Sequence, residues 1–148
     1  MFVRNAWYVA AWDHEVTRQM RRRILLDEPV VLFRTDDGRP VALEDRCCHR
    51  QAPLSMGKLA NNIVTCPYHG LQFDTTGTCV KVPSQDLVPK NAKIKSYPVV
   101  ERNRFSSICS KKNYRLVQED APAHLARHFV IPGRYVPGVT HVHNPSLP

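Results

Sequence analysis

Two short stretches of the sequence, Cys47-Cys48-His49 and Cys66-Pro67-Tyr68-His69-Gly70, decide how this chain folds. Each stretch offers one thiol and one imidazole, and sixteen residues separate His49 from Cys66. Thiolates and imidazoles are the side chains that bind iron, copper and zinc most readily in proteins. The pattern therefore predicts two loops that fold together around a metal centre.

A [2Fe-2S] cluster fits this pattern because it needs four terminal ligands, two for each iron. We expect Cys47 and Cys66 to bind the inner iron, and His49 and His69 to bind the outer iron, which accepts the electron. Neutral imidazoles in place of two thiolates raise the reduction potential above that of an all-cysteine ferredoxin. Cys48 lies between two predicted ligands, and its register predicts no ligand role for it.

A structural zinc site is the main alternative, since two sulfurs and two nitrogens also suit tetrahedral zinc. Common zinc modules pair Cys with Cys and His with His, whereas each stretch here mixes the two types. The spacing therefore favours the cluster, and a zinc-binding interaction module stays the minor alternative.

Length and composition predict one compact domain in an intracellular setting. The chain has 148 residues, of which 43% are hydrophobic, and no apolar run of about 18 residues that could span a membrane. Its N-terminus lacks the apolar stretch of a signal peptide, so the five cysteines are expected to be ligands or free thiols in a soluble, cytoplasmic protein.

The net charge of +8 raises the question of nucleic-acid binding. The basic residues are scattered along the chain, apart from the run Arg21-Arg22-Arg23, and such a short run before a strand is typical of a solvated edge. We therefore expect no nucleic-acid partner, and the charge fits a docking face for an acidic protein equally well.

Short β-rich runs broken by turn sequences predict an all-β fold with no helix longer than a turn or two. The turn sequences Asp36-Asp37-Gly38 and Thr75-Thr76-Gly77 predict two hairpins, one before Cys47 and one after His69. In the last predicted strand, Pro98 indicates a sheet edge. The predicted strands are Ile24–Leu26, Val30–Phe33, Val41–Leu43, Asn62–Cys66, Leu71–Phe73, Thr78–Val82 and Lys93–Glu101.

The amino-acid composition changes after Asn103, so we predict a domain at 1–103 and an atypical tail at 104–148. The tail is rich in proline and histidine and reads as irregular or short-helical. Its one predicted helix spans Glu119–Phe129, with Asp120 as the N-cap and Pro122 in the first turn.

Two longer motifs resemble a known family. CxHRxAPLSxG spans Cys47–Gly57, CPYHGxxFDxxGxC spans Cys66–Cys79, and together they resemble the Rieske domain of the ring-hydroxylating and O-demethylating non-haem iron oxygenases. The opening Asn5–Trp12 is similar to the oxygenase subunits of vanillate O-demethylases. The resemblance covers residues 1 to about 104 and implies an antiparallel β-sandwich with a small cluster-binding subdomain.

The resemblance also implies a function, that of an oxidoreductase in aromatic catabolism. In this family the Rieske domain passes electrons from a reductase with flavin and plant-type [2Fe-2S] centres to a mononuclear Fe(II), which two histidines and a carboxylate hold and which oxidises an aromatic substrate. Members typically form homo-oligomers, and a stand-alone Rieske ferredoxin is the alternative. Respiratory Rieske proteins carry an extra cysteine pair and hydroxyl donors, which Ala52, Tyr68, Leu71 and Phe73 replace here, so a low potential is expected.

The tail repeats part of the family's mononuclear iron motif in the wrong spacing. Asp120, His124 and His128 follow the family's order, but Asp120 stands four residues before His124. An isolated histidine pair at i and i+4 without a third ligand is more often a surface feature than a metal site. We therefore expect no mononuclear iron site here, and a chain that is an incomplete fragment of the enzyme.

Overall fold

The computed structural model describes residues 6–83 and 85–109, and their regular structure consists of strands and two single 3-10 turns, Asp13–Glu15 and Leu54–Met56. The all-β prediction is thus confirmed for these residues. The strands are β1 (Trp7–Trp12), β2 (Arg21–Leu25), β3 (Glu28–Arg34), β4 (Pro40–Glu44), β5 (Lys58–Ala60), β6 (Ile63–Thr65), β7 (Gln72–Phe73), β8 (Cys79–Lys81), β9 (Ser96–Tyr97), β10 (Val99–Arg102) and β11 (Phe105–Cys109).

The strands form three antiparallel sheets. The first sheet has the order β1-β11-β10, the second β2-β3-β4-β9 and the third β5-β6-β7-β8. The third sheet follows directly from the two metal-binding stretches, because β5 and β6 lie between them and β7 and β8 come after them. Both predicted hairpins are confirmed, as β3 pairs with β4 and β7 pairs with β8.

The second sheet is the middle layer of the molecule, and β3 is buried on both of its faces. Side chains alternate along a strand, so Val31 and Phe33 enter the core toward the third sheet, while Val30 and Leu32 enter the core toward the first. All four are fully buried. The run of four apolar residues in the sequence therefore reflects a strand between two cores, as in other strands covered on both sides.

Pro98 divides the last predicted strand into two. β9 ends before Pro98 and pairs with β4 in the second sheet, whereas β10 begins after it and pairs with β11 in the first. Both strands lie at sheet edges, which proline favours because it has no N–H to donate. The prediction of an edge was correct, and the prediction of one continuous strand across Lys93–Glu101 was wrong.

The arginine run forms part of β2, at one edge of the second sheet. Its side chains are engaged with acidic groups, since Arg21 and Arg23 lie 3.8 and 3.3 Å from Glu15, and Arg22 Nε lies 3.5 Å from Asp45 Oδ2. The prediction of a sheet edge was correct, but the run lies within the edge strand and not before it, and it has acidic partners that the sequence did not reveal.

The predicted boundary after Asn103 falls in the turn between β10 and β11, and β11 completes the first sheet by pairing with β1 and β10. The predicted helix at Glu119–Phe129, with His124 and His128, lies outside the described residues. In the part of the chain that the structure describes, no helix is long and apolar enough to cross a membrane.

Candidate metal centre

The predicted ligands lie in two loops, here named loop 1 (residues 47–52) and loop 2 (residues 66–71). The two loops have the same pattern of backbone hydrogen bonds, here named the backbone frame. In loop 1 the Cys47 N–H donates to the Ala52 carbonyl at 2.9 Å, and the Gln51 N–H donates to the Cys47 carbonyl at 2.8 Å. In loop 2 the Cys66 N–H donates to Leu71 at 2.8 Å, and the Gly70 N–H donates to Cys66 at 3.1 Å. Each loop thus closes over the four residues that follow its cysteine.

The two cysteines meet in the core between the second and third sheets. Cys47 and Cys66 are both buried in that core, close enough for their thiols to interact. Burial, opposed by the His49 backbone N–H and supported by the neighbouring Cys66 thiol, raises the pKa of the Cys47 thiol to about 11. A bound metal displaces such a proton and takes the thiolate as ligand.

The two histidines meet at the surface. The Nδ1 atoms of His49 and His69 lie 3.1 Å apart, and both side chains are exposed. Two nitrogen ligands of one tetrahedral metal ion, each about 2.1 Å from it, would lie roughly 3.4 Å apart. The pair therefore already has nearly the separation that a shared metal requires.

The four residues are sorted by type, with a buried sulfur pair and an exposed nitrogen pair. Within the described ranges no three His, Cys, Asp or Glu side chains converge as ligands of a single ion. A [2Fe-2S] cluster needs two protein ligands at each of two irons, since bridging sulfides complete each iron's coordination, and this two-by-two arrangement fits it.

A cavity of about 570 Å³ adjoins the histidine pair. His49, His69 and Leu71 line one side, and Val82 and Pro89 belong to the segment that lines the other. The exposed Tyr68 ring lies against His69, with their centroids 3.9 Å apart. The histidine pair thus lies between an open cavity and an exposed aromatic ring.

Gly57 fixes the distance between the end of the first motif and the strand that leads into Cys66. A Cβ atom added at Gly57 would stand 2.0 Å from the Thr65 carbonyl oxygen, which is far inside van der Waals contact. Gly57 is therefore needed for a close backbone approach.

Asp45 is a residue of this region that sequence reasoning missed. Its buried carboxylate accepts the Ser55 backbone N–H at Oδ1 (2.6 Å) and the Ser55 hydroxyl at Oδ2 (2.7 Å). The signal was present as an acidic residue placed directly between an apolar strand and the first ligand. A charge there requires hydrogen-bond donors, because an unpaired buried charge is costly.

The other cysteines take different positions. Cys79 is buried on β8, and Cys109 is buried on β11. Cys48 is exposed between the two predicted ligands of loop 1, and all five thiols are free.

The part of the chain that carries this site is similar to known proteins. The family model described as Rieske [2Fe-2S] domain matches residues 6–98. The toluene-4-sulfonate monooxygenase system iron-sulfur subunit TsaM1 of Comamonas testosteroni is 56% identical over 106 residues, which are 71% of this chain and 30% of that subunit. The vanillate O-demethylase oxygenase subunit of Pseudomonas sp. (strain HR199 / DSM 7063) is 41% identical over 105 residues, 71% of this chain and 29% of that protein.

The solved structures agree with the sequence relatives. The crystal structure of apo dicamba monooxygenase matches with a TM-score of 0.72 and 46% identity, covering 75% of this chain and 35% of that one. This chain therefore spans about 30% of the length of the curated relatives it matches. The predicted Rieske-type fold and [2Fe-2S] cofactor are confirmed, and the chain belongs to the Rieske [2Fe-2S] domain family, with oxygenase components among its relatives.

Proposed function

We propose that the chain relays electrons, one at a time, from a reductase to the mononuclear iron of an aromatic-ring oxygenase. Cys47 and Cys66 would bind one iron of the cluster, and His49 and His69 would bind the other. The observation that carries this proposal is the 3.1 Å approach of the two Nδ1 atoms at an exposed surface above a buried cysteine pair.

The burial gradient supports the assignment of an inner and an outer iron. Cys47 and Cys66 lie in the dry core, whereas His49 and His69 lie at the solvent boundary. The cluster supplies reversible one-electron chemistry at a potential that its histidine ligands raise. The exposed imidazoles give a partner protein direct access to the ligands of the iron that changes charge.

Apolar neighbours support a potential toward the low end of the roughly −150 to +300 mV range of Rieske centres. Leu71 and Phe73 are buried beside the site and offer no hydroxyl to a cluster sulfur. Fewer hydrogen bonds to sulfur stabilise the more negative, reduced cluster less. A low potential suits delivery of electrons to an iron that activates oxygen.

The names of the relatives, a monooxygenase system subunit and an oxygenase subunit, support a multicomponent system. We propose a reductase with flavin and plant-type [2Fe-2S] centres as the electron donor. In the complete enzyme, we propose, an aryl methyl ether reacts with one O2, two electrons and two protons. The products are a phenol, formaldehyde and water. The identity with the toluene-4-sulfonate subunit is higher than with the vanillate subunit, so an aromatic sulfonate belongs among the substrates to be tested.

The experiment begins with anaerobic purification of the 148-residue chain. We expect a red-brown protein with about two irons and two sulfides per chain and a Rieske-type EPR signal on reduction. A colourless protein loaded with zinc would refute the cluster assignment.

Turnover is tested next, with reductase, O2 and either vanillate, dicamba or toluene-4-sulfonate. We expect the reductase to reduce the cluster without product formation, since Asp120, His124 and His128 lack the spacing of the family's mononuclear iron ligands. Formaldehyde or hydroxylated product would show that this chain is an enzyme by itself, and would overturn our interpretation of the tail.

A further inference from the structure

We propose that Asp45 is a positioning residue that closes the first metal-binding segment and sets the charge beside Cys47. This inference rests on the proposed ligand assignment, and it concerns a carboxylate with no part in that assignment. Asp45 follows β4 directly, two residues before Cys47, and its side chain is fully buried.

One carboxylate joins both ends of the segment that carries Cys47 and His49. Ser55, which donates its N–H and its hydroxyl to Asp45, lies in the 3-10 turn Leu54–Met56 beyond loop 1. The Asp45 backbone N–H in turn donates to the Pro29 carbonyl at 2.9 Å. The segment is therefore held shut by a side chain that the second sheet anchors.

Among the residues that the structure describes, one cation, on β2, lies within ion-pair distance of the carboxylate. Arg22 Nε lies 3.5 Å from Asp45 Oδ2, and the Arg22 side chain is half exposed whereas that of Asp45 is fully buried. A negative charge in the interior acts through a lower effective dielectric than one in water. Because reduction adds negative charge to the cluster, Asp45 should oppose it and Arg22 should favour it.

Asp45→Asn separates the charge from the hydrogen bonds. The amide oxygen can still accept the Ser55 N–H, and the amide NH2 can donate to the Ser55 hydroxyl, which also accepts. Ser55→Ala does the reverse, because it keeps the charge and removes the hydroxyl bond. Asp45→Ala removes both, and Arg22→Gln removes only the outer cation.

The experiment measures reduction potential by EPR-monitored titration, retention of iron, and hydrogen exchange at the Ser55 amide, all on the full chain as purified. We expect Asp45→Asn to retain the cluster at a higher potential, and Arg22→Gln to retain it at a lower one. Arg23→Gln, whose guanidinium pairs with Glu15 instead, is the matched control and should leave the potential unchanged.

Loop closure has its own readouts. Ser55→Ala should lose iron about fivefold faster than the unmodified chain at unchanged potential, as expected for one hydrogen bond. Asp45→Ala should speed exchange of the Ser55 amide at least about tenfold, since its acceptor is gone.

Two results would overturn the proposal. Potentials that stay unchanged in Asp45→Asn and Arg22→Gln, or that move in the same direction, would remove the electrostatic role. An unaltered Ser55 exchange rate in Asp45→Ala would remove the closing role. If the unmodified chain has no Rieske-type signal, the ligand assignment fails, while the exchange measurement still decides whether Asp45 closes the segment.

Discussion

Loop 1 and loop 2 carry the same backbone hydrogen bonds, yet the histidine stands two residues after the cysteine in loop 1 and three residues after it in loop 2. Equal frames with unequal offsets place His49 and His69 at different points of their loops. Their Nδ1 atoms nevertheless converge to 3.1 Å. The comparison teaches that the spacings CxH and CxxH must be considered together. Neither offset by itself explains the position of its histidine, because the two imidazoles converge only when both loops are in place.

The loops also differ in how the shared frame is held. The fourth residue after each cysteine has a positive φ, and this residue is Gln51 (58°) in loop 1 and Gly70 (73°) in loop 2. Loop 1 has the Asp45–Ser55 clamp beyond it, whereas the entry to loop 2 relies on the close approach of Gly57 to Thr65. Loop 1 is thus stabilised by a buried polar contact. Loop 2 depends instead on glycines, because a residue without a side chain allows the close backbone approach and the positive φ.

Removal of one ligand from either loop should have the largest effect. Cys66→Ser and His49→Ala should each abolish the Rieske-type EPR signal, because each leaves one iron with a single strong protein ligand. Iron analysis and EPR of the purified variants measure this. Cys48→Ser is the control that keeps its signal, and loss of the signal in that variant would show that Cys48 is a ligand.

Gly57→Ala should have the next largest effect, because it lowers the stability of the fold while leaving all four predicted ligands in place. The added Cβ would meet the Thr65 carbonyl oxygen at 2.0 Å, so the backbone must move, at a cost of at least about 3 kcal/mol in the free energy of unfolding. Urea denaturation of the full chain measures the loss. Gly38→Ala is the matched control, with positive φ and open space around it, and an equal loss there would disprove the close-approach argument.

Gly70→Ala tests the frame of loop 2 directly. The φ of 73° is unfavourable for any residue with a Cβ, and the new atom would lie 3.1 Å from Pro83 Cγ. We expect a loss of about 1 kcal/mol in the free energy of unfolding, measured by urea denaturation. Unchanged stability would mean that loop 2 can adopt another backbone conformation.

Gln51→Gly should have the smallest effect, and of opposite sign. Gln51 is exposed, so the change relieves the positive φ and loses little packing, while the added freedom of the unfolded chain offsets part of the gain. We expect a stabilisation of about 0.5 kcal/mol in the same urea assay. A clear destabilisation would mean that the Gln51 side chain supports loop 1 through contacts of its own.

The sequence was most informative where chemistry restricts the choice of residue. The Cys47 and Cys66 motifs predicted the fold family because few residue types bind iron, and turn glycines such as Gly77 predicted hairpins because they supply positive φ. The role of Pro98 could be read only in part, since a proline indicates an edge but does not tell how many sheets share the strand. β1, β5 and β11 were not predicted, because none of them alternates clearly between apolar and polar residues: β1 is apolar throughout, β5 has only three residues, and β11 has two adjacent serines.

Contacts between distant positions were beyond sequence reasoning. Nothing local indicates that Arg22 approaches Asp45, or that Gly57 faces Thr65, because these approaches depend on how the sheets stack. Gln51 gives no signal at all, since a non-glycine residue with positive φ is dictated by its loop and not by its own preference. The assignment of the four ligands stays a prediction until the variants are measured.

The position of β3 between two cores has a consequence for folding cooperativity. Val30 and Val31 are neighbours in sequence but pack into opposite cores, so any displacement of β3 disrupts both cores at once. The cluster-bearing layer and the layer formed by β1, β10 and β11 should therefore unfold as one unit and show similar hydrogen-exchange protection at their centres. Weakening of the sheet farthest from the cluster should thus reduce cluster retention.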